Sequence, residues 1–263
     1  MGSDGAEGRV VRVERHDLVG HVVLDRPDAL NAVTVALARQ LEAAVEALAT
    51  QVHVVVIRGA GGNFSAGGDF HEVAALQAEG SHALAELFDS FGRACSAIER
   101  VDVPVVAAVE GYALAGGFEL MQACDVALVS DDAVLADNHL NFAQVPAGGG
   151  SQRLPRLVGR QRALGLILSG ERISGLDAVA WGLAYRSFPA GAFESGVSEF
   201  ASRLAEKDPG AIARTKRLVR EGLARSLDDG LARERAVVLE HLDGAAARAR
   251  IEQFVSSRGA HRD

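Results

Sequence analysis

Lysine is almost absent from this chain. Lys207 and Lys216 are the only two lysines among 263 residues, so arginine carries nearly all of the positive charge. A phosphate-bearing ligand would therefore be held by arginine side chains or by backbone N–H groups. The formal net charge is -8, which argues against a nucleic-acid-binding surface because such surfaces are basic. We expect no nucleic-acid partner.

Cysteines and long apolar runs are also scarce. Cys95 and Cys124 are the only cysteines, and their spacing fits neither a metal site nor a redox pair. No apolar run approaches the ~20 residues that a membrane span needs. Residues 1–8 lack the apolar stretch of a signal peptide. We therefore expect buried thiols, no contact with a membrane and a cytoplasmic location.

The middle of the chain contains short apolar segments that predict strands. Residues 54–57 are Val-Val-Val-Ile, and further strands are predicted at residues 103–109 and 125–129. Continuous apolar strands are typical of parallel sheets that helices cover on both faces. The repetition of strand, loop and helix predicts an α/β fold with right-handed crossovers.

The remaining predicted elements complete this pattern. Residues 10–13 and 21–25 predict an opening hairpin. Helices are predicted at residues 35–48, 72–98 with a break near Gly80, 151–158, 161–168, 176–182, 193–205, 209–221, 226–242 and 245–255. The last three follow the end of the sheet, and Asp208-Pro209-Gly210 marks a soft boundary. We expect an α/β core over residues 1–207 and a helical region over residues 208–263.

Two glycine loops carry the clearest chemical signal. Residues 64–69 are Phe-Ser-Ala-Gly-Gly-Asp, and residues 111–117 are predicted as a loop that leads into a helix ending near Ala123. Glycines let a backbone approach a ligand closely. Neither loop has the pattern of a dinucleotide fingerprint or of a phosphate loop. The first loop, taken alone, could equally be a flexible turn.

The second loop places amide groups and a carboxylate together. Gly116 and Gly117 fall at the predicted helix start, where unpaired N–H groups and the helix dipole favour an anion. Glu119 lies three residues after Gly116 and projects from nearly the same face. It could be only a first-turn charge. If both loops supply a donor to one oxygen, however, the arrangement suits an enolate formed from a thioester.

Four segments resemble the crotonase (enoyl-CoA hydratase/isomerase) superfamily. They are residues 24–32, Leu-Asp-Arg-Pro-Asp-Ala-Leu-Asn-Ala, residues 64–69, residues 111–120, and residues 145–154, Val-Pro-Ala-Gly-Gly-Gly-Ser-Gln-Arg-Leu. The similarity runs from about residue 10 to residue 258. It implies a spiral of ββα repeats with a C-terminal helical trimerisation region, in trimers or dimers of trimers. It also implies acyl-CoA substrates, with coenzyme A as part of the thioester and no permanently bound cofactor.

The resemblance assigns roles by motif position. Ala66 and Gly116 would supply the two N–H groups that hold the thioester oxygen. The positions that would line the CoA path are Ala29, Leu30, Ala66, Gly67, Gly68 and Asp69. Phe254 and Arg258 match the segment that contacts the nucleotide end of CoA, often in a neighbouring subunit.

Two positions depart from the family's usual pattern. Asp28 stands where lysine is frequent, and Arg26 or Arg58 could compensate for its charge or could be surface residues. The family's hydratases carry one glutamate at the Glu119 position and a second about twenty residues later, where this chain has His139.

The resemblance predicts hydration of a 2-enoyl-CoA to the 3-hydroxyacyl-CoA. We expect Glu119 to orient and deprotonate water, and His139 to handle the Cα proton or the polar end of the substrate. A carbon–carbon bond hydrolase, a decarboxylase, a thioester hydrolase or an isomerase would use the same oxygen-binding groups. A non-catalytic acyl-CoA-binding scaffold is a further alternative. No metal-ligand cluster is apparent in the sequence.

Overall fold

The computed structural model describes residues 8–259, and its longer strands follow the apolar segments. The strands are β1 (Val11–His16), β2 (Val19–Leu24), β3 (Val54–Gly59), β4 (Val105–Val109), β5 (Tyr112–Leu114), β6 (Val126–Ser130), β7 (Val134–Ala136), β8 (Ile173–Ser174) and β9 (Arg186–Phe188). The helices are α1 (Val35–Ala49), α2 (Phe70–Glu79), α3 (Ser81–Arg100), α4 (Gly116–Ala123), α5 (Gly150–Val158), α6 (Arg160–Ser169), α7 (Gly175–Ala180), α8 (Ala190–Ala205), α9 (Pro209–Gly222), α10 (Leu227–Asp243) and α11 (Ala245–Gly259). Short 3-10 helices span Pro27–Ala29 and His139–Phe142.

The main sheet has six strands in the order β1-β2-β3-β4-β6-β9. β1 and β2 form the predicted antiparallel hairpin, and the other neighbouring strands are parallel. Both faces of β3 are buried. Val55 and Ile57 belong to the core cluster shared with α1 and α3, whereas Val54 and Val56 contact the apolar side of α8. The predicted parallel sheet with helices on both faces is confirmed.

A second, three-stranded sheet was not predicted from the sequence. Its order is β5-β7-β8, with β5 parallel to β7 and β7 antiparallel to β8. The expectation of a continuous loop over residues 111–117 is therefore wrong, since Tyr112–Leu114 is a strand. Strands of two or three residues carry no detectable periodicity, and distant pairing alone defines them.

The break predicted near Gly80 in the helical segment 72–98 is confirmed, because α2 and α3 meet at this residue. Gly80 has a φ of 112°, a conformation in which glycine carries no steric penalty. α2 begins after Asp69, whose carboxylate accepts hydrogen bonds from the amides of His71 and Glu72. This N-cap fixes the end of the first glycine loop.

The described chain divides into two compact units, the first ending at Glu206 and the second beginning at Lys207. The second unit consists of α9, α10 and α11, and α9 and α10 enclose a largely apolar cavity of about 580 Å³. An oligomerisation role for this unit stays a prediction. No helix within residues 8–259 combines the length and hydropathy that a membrane span requires.

Candidate active site

The first glycine loop is joined to its neighbours by backbone hydrogen bonds. The Gly67 carbonyl accepts from the Val33 amide at 2.7 Å. On the other side, the Ser65 amide donates to the Tyr112 carbonyl and the Ser65 carbonyl accepts from the Leu114 amide, both at 2.9 Å. The first glycine loop is therefore held against β5, the strand that directly precedes α4.

Glycines allow this loop and the start of α4 to meet. Gly67 has a φ of 100°, and a Cβ added there would lie 3.2 Å from the Gly116 nitrogen. A Cβ added to Gly117 would lie 2.2 Å from the Ser65 carbonyl oxygen, well inside van der Waals contact. A Cβ added to Gly116 would lie 3.7 Å from the Gly68 nitrogen. Gly68 and Gly116 are therefore neighbours, and both line one cavity.

Some backbone amides of the first glycine loop and of the start of α4 already donate a hydrogen bond within the fold, and others do not. The Ala66 amide donates to the Leu30 carbonyl at 2.9 Å, so its single N–H is used within the fold. This bond contradicts the expectation that Ala66 holds a thioester oxygen. Within the described residues, the amides of Gly68 and Gly116 have no hydrogen-bond acceptor. Because Gly68 and Gly116 also line the cavity, their amides are candidates to bind an oxyanion there.

Ala115 adopts a backbone conformation that is rare for a residue with a side chain. Its φ is 44° and its ψ is -116°, outside the regions that non-glycine residues usually occupy. The conformation is held at both ends, because the Ala115 amide donates to Ala136 at 3.0 Å and its carbonyl accepts from the Glu119 amide at 2.9 Å. This turn leads β5 directly into α4.

Glu119 lies in the first turn of α4, and its side chain is buried. Its carboxylate oxygen Oε1 accepts hydrogen bonds from the amides of Gly148 and Gly150, both at 2.8 Å. Its other oxygen, Oε2, lies 3.6 Å from His139 Nε2. That separation is too long for a hydrogen bond, so one small group can contact both atoms. The prediction that Glu119 and His139 share a site agrees with this arrangement.

His139 is bound on its far side by Asp137, a residue that sequence reasoning did not single out. The His139 Nδ1 and Asp137 Oδ1 atoms are 2.7 Å apart, and both side chains are buried. Asp137 and Glu119 thus face opposite edges of one imidazole ring. No group of three His, Cys, Asp or Glu side chains within residues 8–259 is arranged to hold a metal ion.

The buried charges shift the pKa values of both facing groups. Burial raises the pKa of the Glu119 carboxyl, against the opposing effects of the Gly150 amide and the His139 charge. Burial lowers the pKa of His139, but the hydrogen bond to Asp137 and the charges of Glu119 and Asp137 raise it by more. Both pKa values are therefore raised, so Glu119 is a stronger base than an exposed glutamate and His139 keeps its proton to higher pH than an exposed histidine.

The cavity above this pair has a volume of about 520 Å³ and is mainly apolar. Its apolar lining includes Phe70, Leu84, Leu87, Phe88, Phe91 and Phe142. The rings of Phe70 and Phe142 are in contact, with centroids 4.9 Å apart. Among the described side chains that line it, Glu119 and His139 are the charged ones. The cavity thus suits an apolar acyl group whose reacting end is polar.

Two residues predicted to bind CoA, Arg26 and Asp69, hold the first loop in place. Arg26 donates to the Ala32 carbonyl at 2.6 Å and to the Asp69 carboxylate at 2.9 Å. Asp69 also caps α2. Arg58 forms an ion pair with Glu194. Contacts of Arg26 and Asp69 with CoA stay predictions.

The other predicted CoA residues lie in exposed or separate segments. Ala29 ends a 3-10 helix, and Leu30 follows it with a φ of 48° and is exposed. Phe254 is exposed on α11. Arg258 belongs to the same helix, but its side chain lies outside the described part of the structure.

Sequence reasoning missed Asp137, the amides of Gly148 and Gly150, and the choice of Gly68 over Ala66. The three-glycine run at residues 148–150 was a visible signal, because a backbone without side chains can approach a buried carboxylate. The position of Asp137, two residues before the candidate His139, was a weaker signal. The choice between Ala66 and Gly68 depends on pairing with residues 30–33, which no local pattern specifies.

Known proteins resemble this chain over most of its length. A sequence profile of the enoyl-CoA hydratase/isomerase family matches residues 14–261. A probable enoyl-CoA hydratase of Mycobacterium bovis is 33% identical over 227 residues, covering 86% of this chain and 86% of that protein. The 2,3-dehydroadipyl-CoA hydratase of Escherichia coli is 35% identical over 225 residues, covering 85% of this chain and 86% of that protein.

Solved structures agree with the sequence comparison. An enoyl-CoA hydratase from Polaromonas sp. JS666 superposes with a TM-score of 0.91 at 28% identity, covering 94% of this chain and 97% of that one. The family resemblance and the fold predicted from the sequence are confirmed. The chain therefore belongs to the crotonase superfamily, within its enoyl-CoA hydratase/isomerase family.

Proposed function

We propose that this protein adds water to a 2-enoyl-CoA thioester and forms the 3-hydroxyacyl-CoA. One observation carries the proposal: a buried Glu119 oxygen lies 3.6 Å from His139 Nε2, in a cavity that the neighbouring Gly68 and Gly116 also line. Hydratase names among the relatives support it. The substrate follows from the family, whose members act on CoA thioesters.

The first task of the site is to stabilise negative charge on the thioester oxygen. In the proposed reaction the amides of Gly68 and Gly116 donate to this oxygen. Their contribution grows as the carbonyl becomes an enolate, which is when a preorganised donor lowers the barrier. Losing one such donor typically costs roughly 3–4 kcal/mol of barrier.

The second task is to move protons. Glu119 Oε2 takes a proton from water while the water oxygen bonds to Cβ. The electron pair of the double bond moves to Cα and into the thioester, forming the enolate. His139 then donates its Nε2 proton to Cα, and the carbonyl is restored. The proton on Glu119 returns to His139, which completes the cycle with no net change in the protein.

The proposal also covers how the CoA part of the substrate is bound and how many chains form the active protein. Ala29, Leu30 and residues 66–69 would line the path of CoA, while Phe254 and Arg258 would contact its nucleotide end. Coenzyme A would enter only as part of the thioester. A homotrimer, or a dimer of trimers, would be the working form.

Hydration can be tested with crotonyl-CoA. Loss of the conjugated-thioester absorbance should follow addition of the wild-type enzyme. The Glu119→Gln variant should lose most of this activity and still bind the thioester. Glu46→Gln, an exposed change on α1, serves as the matched control. Saturable binding without turnover in the wild type would instead support the non-catalytic scaffold.

A carbon–carbon bond hydrolase is a second candidate, and the Asp137–His139 contact favours it. A histidine held by a carboxylate on one nitrogen can activate water at the other. Water would then attack the β-carbonyl of a β-dicarbonyl substrate, and the departing carbanion would be held as an enolate. Stable enone absorbance with crotonyl-CoA, together with cleavage of a β-dicarbonyl compound, would favour this reaction over hydration, isomerisation or decarboxylation.

A further inference from the structure

We propose that Asp137 is a positioning residue: its carboxylate holds the imidazole of His139 with Nε2 toward Glu119, so that His139 serves as the acid and Glu119 as the base. The inference deepens the proposed function and rests on it for the identity of the reaction. The geometry of the Asp137–His139 pair stands independently of which thioester is converted.

The burial of Asp137 is the first support. The residue has 0% exposure, and Oδ1 lies 2.7 Å from His139 Nδ1. Its second oxygen, Oδ2, has no hydrogen-bond partner among the described residues. Burying a carboxylate is costly unless another charge or a donor compensates it. The one described partner that compensates Asp137 is His139.

The direction of this hydrogen bond fixes the role of the ring. An ionised carboxylate only accepts, so His139 Nδ1 carries a hydrogen and donates it to Asp137. Nε2 is then the atom directed to Glu119 and the cavity. Both residues come from one short segment, immediately after β7 and at the start of the 3-10 helix His139–Phe142. Rotating the imidazole ring would break the only described hydrogen bond of the Asp137 side chain.

Hydrogen-bond donors surround one side of Glu119, whereas a carboxylate lies beside His139. Two amides donate to the Glu119 Oε1 atom, and such donors stabilise the ionised form of a carboxylate. No described group donates a hydrogen bond to Oε2, which lies 3.6 Å from His139 Nε2. His139 is therefore arranged to hold a proton, and Glu119 is arranged to accept one.

The charges around His139 predict the consequence of removing Asp137. The charged groups that face the ring are Glu119 from α4 and Asp137 from its own segment. Asp137 supplies two of the three influences that raise the pKa of His139, its hydrogen bond and its charge, and the third is the charge of Glu119. Without Asp137, the acid would lose its proton at lower pH, and the ring would lose its orientation.

The test is the Asp137→Asn variant, which keeps the side-chain shape and an acceptor oxygen but removes the charge. We expect kcat with crotonyl-CoA to fall at least about 10-fold, toward the 10²–10⁴-fold range typical of acid–base groups. KM should stay within about threefold, since Asp137 is not among the described residues that line the cavity. The high-pH limb of the kcat profile should move to lower pH. Asp132→Asn, an exposed acidic residue on the turn before β7, is the matched control.

A second measurement does not depend on activity. Among eight histidines, the His139 imidazole signals are identified by their loss in His139→Gln. In the wild type, the Nδ1 proton should give a low-field signal protected from exchange. In Asp137→Asn, the same ring should titrate at lower pH. The wild-type spectrum alone is informative if the variant does not fold.

The outcomes separate the two proposals. A titration shift without turnover of any thioester supports the positioning role and contradicts the proposed function. Unchanged kcat and an unchanged pH profile in an active Asp137→Asn enzyme overturn the positioning role. Absence of a protected Nδ1 proton in the wild type overturns it as well.

Discussion

Glu119 occupies an environment that both raises its pKa and holds it in place. Burial disfavours its charged form, while the amides of Gly148 and Gly150 bind one of its oxygens. The free oxygen is thus a stronger base than an exposed glutamate, and its position is fixed. A residue of this kind fits general-base chemistry better than a structural charge.

Replacing the Glu119 carboxylate with an amide should abolish most turnover. Glu119→Gln keeps the side-chain volume and an oxygen for the two amides but cannot accept a proton from water. We expect kcat to fall by about 10²–10⁴-fold, with thioester binding retained within a few fold. Steady-state kinetics and equilibrium binding measure the two effects. Wild-type hydration by this variant would remove Glu119 from the mechanism.

The pH profile of kcat should be bell-shaped. Glu119 must be ionised to act as base, so activity is lost as pH falls through its raised pKa. His139 must be protonated to act as acid, so activity is lost as pH rises through its raised pKa. The low-pH limb should lie above the ordinary glutamate value of about 4.3, and the high-pH limb above the ordinary histidine value of about 6.5. A profile flat across this range would contradict the assignment.

At the scale of elements, the loop before α2 is held by Asp69. Its carboxylate caps α2 and accepts a hydrogen bond from Arg26. Burial raises the pKa of Asp69, but the hydrogen bonds from Arg26 and from the amides of Glu72 and His71 lower it by more. The folded-state pKa is therefore below the unfolded value.

Removing this cap should destabilise the protein in a pH-dependent way. Asp69→Ala should lower the free energy of unfolding at neutral pH by about 0.5–2 kcal/mol, the usual cost of losing an N-cap. The difference is full above the unfolded pKa of about 3.9 and shrinks as pH falls through the folded-state value. Denaturant unfolding at two pH values measures it, with exposed Asp89→Ala on α3 as control. An equal loss at both pH values would contradict this explanation.

The meeting of the two loops depends on the lack of a side chain at Gly117. A Cβ there would lie 2.2 Å from the Ser65 carbonyl, so Gly117→Ala should force the loops apart and reduce both stability and turnover. Gly92→Ala, also within a helix and with open space around the added Cβ, should be neutral or stabilising by up to about 1 kcal/mol. Thermal unfolding of both variants provides the comparison. Equal stability of the two would mean that the loops are not in contact.

The sequence predicted those parts of the fold whose signals are local. The apolar run at residues 54–57 predicted a strand buried on both faces, and the paired glycines predicted the meeting of loops. β5, β7 and β8 could not be predicted because pairing between distant segments defines them. The same reason explains the error at Ala66, whose amide is engaged by the distant Leu30 carbonyl.

The second unit leaves large apolar side chains exposed. Val219, Leu223, Leu227, Leu231 and Leu239 are all more than half exposed. Apolar groups gathered on a few helices in this way often mark a protein–protein contact. They support the proposed trimer.

Light scattering should give a mass of three chains of 27.5 kDa, or of a multiple of that trimer. Leu223→Glu should shift the mass toward the single chain, because it would place a charge in the proposed contact. Ala43→Glu, at an exposed position on α1 of the first unit, should leave the mass unchanged. A wild-type protein that stays monomeric at high concentration would contradict the proposal.

A crystal structure with 3-hydroxybutyryl-CoA bound would test the proposed oxygen-binding amides and the acid–base pair together. We predict that the thioester oxygen lies about 3 Å from both the Gly68 and the Gly116 nitrogens. The hydroxyl oxygen should lie between Glu119 Oε2 and His139 Nε2. A thioester oxygen bound away from these two amides, or a hydroxyl group directed away from Glu119, would contradict the account.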